Sequence, residues 1–139
     1  MANTQLESEV INHLEFLGYE VNPVPDIDPS GKVKMLRAEH PSGAAINIMT
    51  FERTVNFSIW FSLNDLAVTN KQDLLAVVND LNQRFETKYY IGKMGETPAF
   101  FYSLVYFGPY DKKAFGQFVS TWEREKQGLW GTEITRFLA

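Results

Sequence analysis

The sequence predicts an α+β fold, an antiparallel five-stranded sheet with three helices in the order α-βββ-α-ββ-α. Three observations carry this. Residues 54–63 alternate, with Val55, Phe57, Ile59, Phe61 and Leu63 on one face and Asn56, Ser58, Trp60 and Ser62 on the other. Such a period marks a strand covered on one side. Leu74, Val78, Leu81 and Phe85 recur at helical spacing. The strands are joined by hairpin-length breakers, and the helices are set apart from them, which favours antiparallel pairing over a parallel βαβ array.

Taken in order, Thr4-Gln5-Leu6-Glu7 reads as a capping box. It opens a helix with Leu6, Val10, Leu14 and Leu17 as its buried stripe and Gly18 as its terminator. Residues 22–31 hold three prolines and read as a connector, because proline removes an amide donor and fixes φ. Strands are expected over 33–40, 45–50 and 54–63, with a turn at Pro41-Ser42-Gly43. Asn70 or Thr69 caps the second helix, with Asp73 in its first turn and Leu75 beside the buried stripe. Strands over 88–91 and 99–107 follow, separated by a loop from Gly92 to Pro98. The last strand is apolar on both faces, which places it inside the sheet. Asp111 caps the third helix, whose stripe is Phe115, Phe118, Val119 and Trp122 and whose end is Gln127-Gly128.

A chain of 139 residues fits one domain, expected over 1–127, followed by a C-terminal tail, 128–139, that docks on its own core or on a partner. Apolar residues make up 45% and aromatic residues 14%, enough for a core without staples. The absence of Cys excludes disulfides, thiolate metal sites and Cys catalysis. The net charge is −4, and the basic pairs Lys112-Lys113 and Arg124/Lys126 are interleaved with acids, so a nucleic-acid partner is not expected. The N-terminus lacks the pattern of a secretory signal and no apolar run approaches the ~20 residues of a membrane helix, so the expected location is cytoplasmic, without membrane contact. The sequon at Asn56-Phe57-Ser58 falls inside an expected strand and is set aside.

The run Leu74-Leu75-Ala76-Val77-Val78-Asn79-Asp80-Leu81-Asn82, continuing through Arg84-Phe85 to the aromatic strand Lys88-Tyr89-Tyr90-Ile91, resembles the YbjN-like family, whose fold is shared with type III secretion chaperones. The resemblance extends over 30–126. It rests on element order, hydrophobic pattern and an Asn-x-x-Asn step. It implies a non-enzymatic role: dimerisation, and holding segments of partner proteins. Asn79 and Asn82 have a plainer reading as side-chain bonds at a helix–sheet junction.

Catalytic and metal chemistry find little support. Asp26-Ile27-Asp28-Pro29-Ser30-Gly31 opens like a calcium loop, but the position that needs a bidentate Glu is Arg37. Gly92-Lys93-Met94-Gly95 matches the GXXG of KH domains, yet its flanks read as strands, so a hairpin is the better assignment. His13 and His40 are the two histidines; Glu39 and His40 are neighbours that would point to opposite faces of a strand. No cofactor and no enzymatic activity are expected.

The remaining feature is surface. Met49, Phe51 and Trp60 fall opposite the expected core, among Asn47, Asn56, Ser58 and Ser62. Large apolar side chains among short polar ones suit a protein-binding face. In the tail, Trp130 and Phe137 are further candidates. The expected function is therefore a protein-binding module, chaperone-like or adaptor-like, that holds a partner segment. The alternative is a regulatory or sensory domain with a small ligand between sheet and helix.

Overall fold

The computed structural model describes residues 4–25, 34–41 and 45–139. The calcium-like loop, the turn residues Ser42 and Gly43, and the Thr4 side chain of the capping box lie outside the described residues. Among the described residues the chain forms an α+β fold with four α-helices and a six-stranded sheet. The elements are α1 (Thr4–Phe16), β1 (Glu20–Val24), β2 (Lys34–Glu39), β3 (Ile46–Thr50), β4 (Thr54–Ser62), α2 (Asp65–Thr69), α3 (Lys71–Arg84), β5 (Lys88–Met94), β6 (Thr97–Phe107) and α4 (Lys112–Leu129), then a 3-10 helix at Glu133–Phe137. The strand order is β1-β2-β3-β4-β6-β5, so β6 lies inside the sheet, as its two apolar faces require.

The sixth strand, β1, takes in residues 22–24 at the start of the expected connector, whose residues 26–31 lie outside the described residues, and pairs antiparallel with β2, Pro23 opposite Leu36. Prolines mark it as a breaker in sequence, but β1 is an edge, where alternate amides have no strand to bond and proline is tolerated. The fourth helix is the short α2, capped by Asn64, whose side chain accepts from the Ala67 N–H at 3.2 Å. Asn70 precedes α3 but makes no side-chain cap bond. The 92–98 loop is largely strand: β5 continues to Met94 and pairs with Thr97 across the turn Gly95-Glu96, with Gly95 at φ +62°. Gly92 stays within the strand because the Phe101 ring covers it; a Cβ there would lie 3.2 Å from that ring. The expected end of α4 at Gln127-Gly128 falls one residue short of its last residue, Leu129, and a Cβ at Gly128 would lie 3.4 Å from the Phe85 ring.

The chain contains two compact units. The first comprises 1–59 and 105–118. Here Leu6, Val10 and Leu14 are buried as expected, whereas Leu17 is 41% exposed beyond the end of α1. Gly18 takes φ +95° and turns the chain into β1. Phe57 packs edge-on against Phe115 and Phe118, with ring centroids 6.1 and 4.8 Å away. Each such buried ring contributes about 1.5–3 kcal/mol. Glu7 meets Thr50 at 3.5 Å and Lys34 at 3.8 Å. The Tyr106 hydroxyl donates to Pro109 O at 2.8 Å and accepts from the Asp111 N–H at 3.1 Å, fixing the turn into α4. Asp111 caps that helix by accepting from the Ala114 N–H at 2.8 Å.

The second unit comprises 60–104 and 119–139. Leu74, Val78 and Leu81 of α3 are buried, as are Trp122 and Leu129 of α4. Trp122 stacks on Tyr102 at 5.0 Å, and Tyr89 stacks on Tyr102 at 5.9 Å. Glu125 is buried, and its carboxylate accepts from the N–H groups of Thr87 at 2.7 Å and Glu86 at 3.1 Å and from the Thr87 hydroxyl. It thereby satisfies backbone donors that the α3–β5 connection would otherwise bury unpaired.

Candidate protein-binding surface

The register of the second unit builds a row of aromatic side chains. On β5 and β6, Tyr90 stands directly opposite Phe101, and the rings stack at 4.9 Å with planes 2° apart. The Leu63 N–H bonds to Pro98 O at 3.0 Å. That bond sets β4 against β6, and three residues earlier on β4 and three later on β6 it brings Trp60 opposite Phe101. Trp60, Phe101 and Tyr90 thus cross adjacent strands in one line, roughly 10 Å long at the usual strand spacing. Tyr89, Phe100 and Tyr102, which alternate with them, are buried on the other face. Tyr90 remains 49% exposed and Trp60 and Phe101 are half-buried.

Of the residues singled out in sequence, Trp60 lies in this row. Trp130 does not: it packs edge-on against Phe61 at 5.3 Å, on the opposite face from Trp60, and is 49% exposed. Phe137 is a core residue. It is fully buried together with Ile134, which removes it as an exposed anchor. The reason is the docking of the tail. Phe137 O accepts the Asn64 N–H at 2.9 Å, the Asn64 side chain donates to Arg136 O at 2.8 Å, and Leu138 bridges to Leu63. Met49 and Phe51 belong to the first unit. Met49 is half-buried between Met35 of β2 and Asn56 of β4, whose Oδ1 is buried without a hydrogen-bond partner. Phe51 is half-buried just past β3, where its N–H bonds to Thr54 O at 2.9 Å. Sequence reasoning missed Phe101 and Tyr90. Each was placed in a strand, but their alignment with Trp60 depends on a long-range register.

Burial, reinforced by Glu125, pushes the Tyr89 hydroxyl up to about 12, and burial raises Tyr102 further. A groove of about 440 Å³ runs between α3 and the 3-10 helix. Its arginines are paired, Arg136 with Asp73 at 3.9 Å and Arg84 with Asp80 at 3.2 Å. Among the described residues no three His, Cys, Asp or Glu side chains gather as metal ligands, and no helix is long and apolar enough to cross a membrane.

No family model and no curated protein matches the chain. Among solved structures, the chain is similar to YbjN from E. coli, described as a candidate transcription regulator, with a TM-score of 0.72 over 100% of this chain and 99% of that one. The fold is YbjN-like. At 15% identity the likeness is one of fold.

Proposed function

We propose that this protein is a non-enzymatic protein-binding module, chaperone-like or adaptor-like, that holds a segment of a partner across the Trp60–Phe101–Tyr90 row. The observation that carries this reading is the row itself. Three large aromatic side chains line up on the face opposite the buried core, with Tyr90 half-exposed at its end. Tyr and Trp supply much of the energy of protein contacts, because each offers wide apolar area with a polar tip. YbjN is described as a candidate transcription regulator. With a net charge of −4, a role of that kind in this chain would run through a protein contact rather than through DNA phosphates. A small ligand is less well supported, since the groove along α3 is open and its arginines are already paired.

The test is affinity purification from native cells with wild type, Trp60→Asp and Trp60→Phe. Loss of a defined partner with Trp60→Asp, and its retention with Trp60→Phe, is the expected result. Equal recovery by a folded Trp60→Asp variant would contradict it.

A further inference from the structure

A second concave site lies within the first unit, between the start of α1 and the turn that enters α4. Gln5, Leu6 and Glu9 form one wall and Pro109 and Tyr110 the other, around a volume of about 140 Å³. Gln5 and Glu9 are one helical turn apart, so they stand on the same face of α1. The opposite wall is fixed by its own bonds. The Tyr106 hydroxyl holds Pro109 O and the Asp111 N–H. The Tyr110 hydroxyl lies 3.0 Å from His13 Nδ1, and its ring packs against Phe115 with centroids 5.8 Å apart. A cleft whose walls are already held in place charges a ligand little for ordering them.

The cleft sets one negative charge beside apolar surface. Glu9 is half-buried, and the Gln5 side-chain amide donates to it at 3.3 Å. Among the described residues no ion pair reaches it. His13, one turn further along α1, does not supply the missing charge: burial and the nearby Lys112 hold its imidazole below the ordinary value, so it is neutral at pH 7. Burial raises the Tyr110 hydroxyl, and the Glu9 charge raises it further, so the carboxylate is within electrostatic reach of that wall.

We propose that this cleft binds a small aliphatic ammonium group, with Glu9 facing the nitrogen and Leu6, Pro109 and the Tyr110 ring covering the carbon chain. A cation gains both from a charge-assisted bond to the carboxylate and from the neighbouring aromatic ring. An anion would be repelled by Glu9. A divalent metal needs several oxygen ligands, and among the described residues no three His, Cys, Asp or Glu side chains gather. The volume suits a short chain, since drug-sized ligands fill roughly 300 Å³ or more. A free amine and the end of a lysine side chain present the same group to the site. The cleft belongs to the unit that does not hold Trp60, so it is independent of the aromatic row.

The experiment is an NMR titration of the full chain, followed at the backbone amides of Glu9 and Tyr110. The probes are n-butylammonium, its neutral counterpart 1-butanol, and Nα-acetyl-lysine amide. Saturable shifts are expected with the two ammonium probes and none with 1-butanol; the tighter of the two shows whether the site favours a free amine or a lysine end. Glu9→Gln should raise the Kd for n-butylammonium about 10-fold, the loss of one charge-assisted contact. Glu15→Gln, which changes an exposed glutamate on the same helix, should leave that Kd unchanged. The 1-butanol comparison uses wild type alone, so the outcome does not depend on how a variant folds. Shifts that fail to saturate, equal shifts with 1-butanol, or equal weakening by Glu15→Gln would overturn the proposal.

Discussion

The Asn82 side chain behaves as one residue of an additional strand for Tyr89: its amide exchanges two hydrogen bonds of 2.8 Å with the Tyr89 backbone. This ties the end of α3 to the start of β5 across the loop in which Glu125 holds Thr87. Asn82→Ala leaves both Tyr89 backbone groups without that partner. The expected cost is about 1–3 kcal/mol by urea denaturation, with faster hydrogen exchange at the Tyr89 amide. Unchanged exchange at that amide would contradict the assigned role.

Glu125→Ala removes the acceptor of the Glu86 and Thr87 amides and of the Thr87 hydroxyl within the core. A loss of about 2–4 kcal/mol is expected in denaturation, larger than for any exposed glutamate such as Glu133.

Asn64 bonds to the tail at Arg136 O and Leu138 O and also caps α2. Asn64→Ala should cost about 1–2 kcal/mol and make the C-terminal residues sensitive to limited proteolysis. A tail still protected in that variant would show that burial of Ile134 and Phe137 suffices.

Alkaline stability should fall in a defined window. Burial raises the Tyr89 hydroxyl from 10 to about 12, so the folded state favours the neutral phenol. Its contribution is fully present below pH 10 and is lost as pH rises toward 12. Thermal melts across that range should show a falling Tm, and Tyr89→Phe should flatten the dependence.

How far the fold was legible in sequence depended on how local each signal was. Alternation in β4 and the apolar stripes of α3 and α4 are local, and they were read correctly. β1 was missed because Pro23 signals a break unless the strand is known to be an edge, which is a property of the whole sheet. Gly92 was read as the start of a loop, although it is a strand position where the Phe101 ring needs room. The surface followed the same rule. Trp60 was visible from the alternation around it, whereas Tyr90 and Phe101 join it through pairing. Phe137 follows a helix end, and the sequence leaves open whether it docks on its own core or on a partner; the bond from Asn64, 73 positions away, accompanies its burial in the core.

The most direct test is site-specific photo-cross-linking in native cells, with a photoreactive phenylalanine placed at position 60 on the aromatic row or at position 75 on the exposed flank of α3. Position 60 is expected to capture a discrete partner that position 75 does not. Capture at position 75 alone, or at neither position, would contradict a binding role for the row.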